Sequence, residues 1–250
     1  MCTVSFVPTS TGIFLSSNRD EKKTRGIALS PQIYQSESCR QLYPKDVNAG
    51  GAWIALNSFS DAAVLLNGAF EKHQVENTYR RSRGLIFLEI ISENNPKEQF
   101  DSIDLNKIEP FTIILFSKGI LHELRWDAFH KYQKILAIDR AYIWSSSTLY
   151  DSATVRKREH WFSVWLSQNS EPSLDQILSF HKFGGEGDRH IDIRMNRNNV
   201  LYTVSITSIE LKGEVGIMHY QDLINHTQST QEILFNSSKE QINHYASEIF

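Results

Sequence analysis

Cysteine is scarce: only Cys2 and Cys39 occur in 250 residues. That is too few for the disulfide framework of a small secreted scaffold and predicts a reducing compartment. Long hydrophobic runs are lacking as well. Phe111 to Phe116 stops at Ser117-Lys118-Gly119, far short of the ~20 apolar residues that span a bilayer. Met1 through Ser10 has neither the basic start nor the long apolar stretch of an export signal. A soluble, cytoplasmic protein with no integral membrane segment is the expectation. Positive charge is not in excess either: 26 Lys and Arg stand against 29 Asp and Glu, a net charge of -3. Without a cationic field there is no attraction for a phosphate backbone, which excludes nucleic acid as the main partner.

What is present is the composition of a folded domain, with 40% hydrophobic, 11% aromatic and 22% charged residues. No internal repeat or low-complexity tract divides the chain. It reads as one domain over residues 1–250, with 226–250 a terminal helix or a loose tail because large apolar residues are few there.

Thr3–Val7 and Ile13–Leu15, separated by the turn residues Pro8-Thr9-Ser10-Thr11-Gly12, predict a hairpin that begins almost at the first residue. Trp53–Leu56 and Ala62–Leu66 predict a second. Between Arg83 and Glu93 the spacing of Leu85, Ile86, Leu88 and Ile90 favours a helix started by Ser82 or Asn77, with a buried strand as the alternative. Strands are expected at Thr112–Phe116, Leu121–Arg125, Lys134–Ile138 and Ala141–Trp144. Helices follow at Ser152–Gln168 and, capped by Ser173 and closed by Gly184-Gly185, around Leu174–Phe180. Strands return at Val200–Leu211 and Val215–Tyr220. Blocks of strands and blocks of helices point to antiparallel sheets with helices on their outer faces, an α+β fold, and not to a doubly wound sheet.

Cys2 carries the most chemical information. Trimming of Met1 would leave a cysteine with a free α-amine, so that nucleophile and base share one residue. A terminal amine titrates near ~7.7–8 and a thiol near ~8.5, so the amine can take the thiol proton during attack. The plainer alternative is a small buried strand residue. Asn18-Arg19-Asp20-Glu21 follows on the second strand of the hairpin, where pairing can bring it beside Cys2. There an aspartate could orient the ammonium and a guanidinium could bind a carboxylate partner or an anionic substrate group. A solvated turn of mutually paired charges fits the same residues.

Cys2-Thr3-Val4 with Asn18-Arg19-Asp20-Glu21 resembles the NRDE family, also called the transport and Golgi organisation protein 2 family. Gly50–Asn57, Leu66-Asn67-Gly68, Ser82-Arg83-Gly84, Trp144–Leu149, Gly187–Arg197 and Thr203–Thr207 resemble its later blocks, so the likeness covers most of the chain. That family is similar to N-terminal nucleophile (Ntn) hydrolases of the choloylglycine hydrolase and penicillin acylase type. The resemblance implies a four-layer αββα sandwich of two antiparallel sheets. It also implies attack of an N-terminal cysteine on an amide carbonyl, an acyl-enzyme, and release of the acyl group to water or another acceptor.

Carried onto this chain, Cys2 is the nucleophile, Asp20 holds its amine, and Asn67 donates its amide to the oxyanion. From local sequence alone Asn67 is equally a turn asparagine before glycine. Arg19, Asn18, Ser146 and Arg83 are the expected substrate contacts. Two departures stand out: the hydrolases place arginine where this chain has Ser17, and Ser146 lies where they have an asparagine. Arg19 and Asp20, as strand neighbours, face opposite ways, which keeps Arg19 from the catalytic arginine's place unless the strand bulges.

Gly184–Asp188 lacks the Lys-Ser or Lys-Thr of a phosphate cradle and reads as a mobile loop over the site. The histidines have no metal-ligand spacing, His122, His130, His160 and His219 are expected to satisfy local hydrogen bonds, and no metal or cofactor is called for. Trp161 and Trp165 read as packing residues. The function expected is a small-molecule amidohydrolase or acyltransferase. The alternatives are a non-catalytic carrier of haem or a lipid or acyl ligand, to which the resemblance also connects, and a structural role in membrane trafficking.

Overall fold

The computed structural model describes residues 3–25, 28–76 and 78–236. Cys2 and the end of the tail, residues 237–250, lie outside them, as does Asn77. The chain begins with the expected hairpin, β1 (Thr3–Thr9) and β2 (Gly12–Lys22). Next come β3 (Ala28–Gln35), β4 (Arg40–Asp46), β5 (Ile54–Asn57) and β6 (Ala62–Asn67). Two helices follow, α1 (Arg83–Ile91) and α2 (Pro96–Ser102), then β7 (Phe111–Ser117), β8 (Ile120–Trp126), β9 (Lys131–Leu136) and β10 (Tyr142–Ser145). The last third holds α3 (Ser152–Gln168), α4 (Leu174–Phe183), a short β11 (Asn196–Arg197), β12 (Leu201–Lys212), β13 (Val215–Asp222) and β14 (Thr227–Leu234).

Two seven-stranded antiparallel sheets result. One runs β10-β1-β2-β12-β13-β14, with β11 attached to β12; the other is the meander β3 to β9 in chain order. Alternation along the strands divides their side chains between layers. Val4, Phe6 and Leu15 of the first sheet meet Leu56, Val64, Leu66 and Ile114 of the second in the core between the sheets. Ala63, Leu65, Ile113 and Leu115 turn outward onto Ile86, Phe87, Ile90 and Phe100 of α1 and α2. Val7 and Phe14 turn outward onto Phe162, Ile177 and Phe180 of α3 and α4. With both faces of each sheet covered, central strands such as β6 and β7 read as unbroken apolar runs. This is the four-layer αββα sandwich expected from the resemblance.

Ser82 caps α1, its side chain accepting from the Leu85 amide, and Ser173 and Gln176 form a reciprocal capping box on α4. Trp161 and Trp165 pack against the α3–α4 core. Several elements differ from the sequence reading. β3, β4 and α2 were not expected, and β9 begins at Lys131 and ends at Leu136 where Lys134–Ile138 was. Thr227–Leu234, read as terminal helix or loose chain, is the edge strand β14, paired with β13 along its whole length. An edge strand with only Ile233 packed into the core carries little hydrophobic signal. Among the described residues no helix is long and apolar enough to cross a membrane.

Candidate active site

Arg19 and Asp20 point to opposite faces of the first sheet, as strand geometry requires. The β12 strand bulges opposite them: Thr203 pairs with Asp20 but Ser205, not Val204, pairs with Arg19. The bulge gives each of the two charged residues a polar neighbour on its own side.

On the helix side, Asp20 is 4% exposed. It accepts hydrogen bonds from Thr203 Oγ1 at 2.5 Å and Tyr150 Oη at 2.9 Å. Burial raises its pKa above the ordinary carboxylate value, against the opposing effects of Thr203, the Arg158 charge and Tyr150. Arg158, wholly buried on α3, lies 3.6 Å over the Tyr150 ring and donates from Nη1 to Thr3 Oγ1 at 2.7 Å. It therefore ties the first described residue of β1 to the surroundings of Asp20.

On the inter-sheet side a cleft of about 180 Å³ opens between β2, the β4–β5 connection, β6 and the start of α1. Arg19, Arg25 and Arg83 line it together with Glu21, Asp46 and Glu109. Arg19 Nη2 lies 2.6 Å and Arg25 Nε 3.1 Å from Asp46 Oδ2, and Arg83 Nη2 lies 3.1 Å from Glu109 Oε2. Arg19 also stacks 4.4 Å over Trp53. Burial pushes the Asp46 carboxyl up, but the Ala49 amide and the two guanidiniums outweigh it and hold it below its ordinary value. Burial pulls the Arg83 guanidinium below its ordinary value against the attraction of Glu109. The Arg83 end is built by a close backbone approach: a Cβ on Gly51 would lie 2.5 Å from the Gly84 carbonyl carbon.

Asn67 ends β6 on the wall of this cleft. Ser146 Oγ donates to its backbone oxygen at 2.8 Å, and Gly68 follows at φ 81°, a conformation glycine adopts freely. The Asn67 side-chain amide makes no hydrogen bond among the described residues and so retains its donors. Thr3 pairs with Ser145, the neighbour of Ser146. The start of β1 thus lies beside both the Asp20 group and Asn67.

The cleft brings together Arg19, Asn67 and Arg83 of the expected site residues. Ser146 supports Asn67 through its main chain instead of lining the cleft. Asn18, expected at the substrate, has its side chain on the helix side: Nδ2 donates to the carbonyls of His181 and Ile193 at 3.0 and 2.8 Å, and Oδ1 lies 2.7 Å from His181 Nδ1. It is a buried strut between β2 and α4. Gly184–Asp188, expected over the site, borders a different cavity beside α4 and β12. His122 Nδ1, expected to be satisfied locally, is buried without a partner among the described residues. Sequence reading missed Trp53, Asp46 and Glu109 at the cleft, and Tyr150, Thr203 and Arg158 around Asp20. The available signal for the last was spacing, since Arg158 precedes Phe162 by four residues and so shares the apolar face of α3.

A family model described as Transport and Golgi organisation 2 matches residues 1–243. Among curated proteins none matches the chain. Solved structures do. The Caenorhabditis elegans ortholog of N-acylethanolamine-hydrolyzing acid amidase superposes with TM-score 0.60 at 12% identity, covering 83% of this chain and 92% of its own. A mutant conjugated bile acid hydrolase from Clostridium perfringens gives 0.59 at 9%, covering 96% and 98%. A second variant of that hydrolase gives 0.57 at 10%, covering 95% and 98%. At such identities the likeness is one of fold, and the fold is that of the Ntn hydrolases.

Proposed function

The chain belongs to the Transport and Golgi organisation 2 family, and from that premise we propose that it is an amidohydrolase or acyltransferase for a small amide or acylated molecule, with Cys2 as nucleophile. One observation carries the reading: the Asn67 side-chain amide, unengaged among the described residues, lines a polar cleft, and Ser146 holds the Asn67 main chain next to the strand that pairs with the start of β1.

In the proposed reaction, removal of Met1 frees the α-amine of Cys2. The sulfur attacks the substrate carbonyl while the amine takes the thiol proton. Asn67 donates to the oxyanion that develops, an interaction worth a few kcal/mol when aimed at the forming charge. The amine then passes its proton to the leaving nitrogen, the C–N bond breaks, and a thioester remains on Cys2. Water or an acceptor amine attacks that thioester, and the proton it loses returns through the amine to the sulfur. Asp20, held by Thr203 and Tyr150, orients the ammonium, and Arg19 and Arg83 bind polar groups of the substrate.

The size and pairing of the cleft favour this reading over the carrier of haem or lipid. It holds about 180 Å³, against the roughly 300–1,000 Å³ of sites for drug-sized ligands, and its guanidiniums already face Asp46 and Glu109. The test is release of primary amine from a panel of small acyl amides. Turnover is expected from the wild type and from Cys39→Ala but not from Cys2→Ala; equal turnover by Cys2→Ala would refute the assignment.

A further inference from the structure

One end of the molecule collects cations that the rest of the chain does not neutralise. Lys182, Arg189 and Arg194 border a cavity of about 410 Å³, and Lys22 and Lys23 border an adjoining one of about 90 Å³. Tyr202 and Ile224 line both, so the two form one continuous face. None of these cations makes an ion pair among the described residues. Some other basic side chains are paired, Lys97 with Asp101, Arg80 with Asp104 and Lys157 with Glu186, and it is the crowding of unpaired cations onto one face that sets this end apart.

Glu21, on the smaller cavity, pairs with Arg19 and Arg25, and the other neighbouring acids direct oxygens at backbone amides. Asp192 Oδ1 accepts from Glu186 at 3.0 Å, and Asp188 Oδ1 accepts from His190 at 2.9 Å. Asp222, 8% exposed, caps its own turn by accepting from Ile224 and Asn225. On a chain of net charge -3, this end is a local exception.

The same face carries unburied apolar side chains. Phe183 is 75% exposed, Val200 63% and Ile224 42%. They come from three separate places, the end of α4, the turn into β12 and the turn after β13. Val200 is held beside Lys23, whose amide donates to its carbonyl at 2.9 Å. A small soluble anion would satisfy the cations and leave the apolar groups in water. An anionic bilayer satisfies both, since headgroups attract Lys and Arg while Phe, Val and Ile enter the boundary with the acyl chains.

We propose that this face, with Lys22, Lys23, Arg189 and Arg194 around Phe183, Val200 and Ile224, docks the protein peripherally on anionic lipid surfaces. The proposal is independent of the chemistry assigned to Cys2.

Co-sedimentation of the full chain with vesicles of phosphatidylserine and phosphatidylcholine, and of phosphatidylcholine alone, tests it. Binding is expected only to the anionic vesicles and is expected to fall as NaCl is raised. Arg189→Glu with Arg194→Glu is expected to weaken partitioning by at least about tenfold, each lost cation near the surface accounting for about fivefold. Phe183→Ser is expected to weaken it severalfold without changing the salt dependence. Both variants alter exposed side chains, and an unchanged melting temperature confirms that they remain folded. Equal sedimentation with both vesicle types, no sedimentation with either, or wild-type binding by the variants would overturn the proposal. So would release of the protein by inorganic phosphate beyond the effect of NaCl at equal ionic strength, which would assign the cavity to a soluble anion.

Discussion

Acidification acts on the fold through His181. Its ring is completely buried, with Nε2 2.8 Å from Ser5 Oγ and Nδ1 2.7 Å from Asn18 Oδ1. Both hydrogens of Asn18 Nδ2 go to backbone carbonyls, so Oδ1 must accept. The proton therefore sits on Nδ1, and Nε2 accepts from the Ser5 hydroxyl. Burial pushes the ring's pKa down to about 3 from 6.5. Below the unfolded value the unfolded chain binds a proton that the folded one refuses, so stability falls as pH falls from about 6.5 toward 3. Between pH 7.5 and 5 the loss is about 2 kcal/mol, taking ~1.36 kcal/mol per pH unit.

Asp61 works the other way in the same range. Burial raises its pKa to about 6, so its protonation favours the folded state as pH falls, by about 1 kcal/mol over that interval. The two contributions oppose each other in the wild type, so that of His181 is read as a difference. His181→Gln removes the titration while leaving Asp61 in place. Urea unfolding followed by tryptophan fluorescence at several pH values measures both proteins. The gap in stability between wild type and variant is expected to narrow by about 2 kcal/mol from pH 7.5 to 5. A gap independent of pH would refute the neutral buried imidazole.

Other perturbations address the cleft. Asn67→Ala is expected to lower turnover of a responsive amide about 10²–10³-fold through kcat, with KM little changed, because the donor acts on charge that appears only in the transition state. Gly51→Ala sets a methyl 2.5 Å from the Gly84 backbone, and overpacking of this kind costs about 1–3 kcal/mol; calorimetry should show a melting temperature lowered by several degrees. Ser82→Ala deletes the α1 cap bonded to Leu85 and is expected to cost about 1 kcal/mol in urea unfolding, with a shift of Arg83 visible as a raised KM.

The two-sheet core was legible because burial on both faces leaves continuous apolar runs, as in Ala62–Leu66 and Phe111–Phe116, and helix ends were legible at Ser82 and Ser173 through their caps. β3 and β4 were not. Pro31 and Pro44 interrupt them, and the structure absorbs the first by a register shift between Leu29 and Gln32 at a sheet edge. Pro44 lies beyond the short stretch of β4 that pairs with β5, Gln41 and Leu42. At the site, Arg19, Asn67 and Arg83 could be named through resemblance. The carboxylates that hold the arginines, Asp46 and Glu109, could not be, since a charged residue signals its partner across the fold only once the sheets are assembled. Asn18 is the instructive case: its place in the motif suggested a substrate contact, while strand alternation commits its side chain to the helix layer with Asp20.

The proposed reaction requires a freed Cys2 as its nucleophile. Its most direct test is the mass of the N-terminal peptide after the protein is incubated with a cysteine-acylating lactam and digested. The expected peptide begins at Cys2 without Met1 and carries one acyl group, absent in Cys2→Ala. A peptide that retains Met1, or acylation that persists in Cys2→Ala, would contradict it.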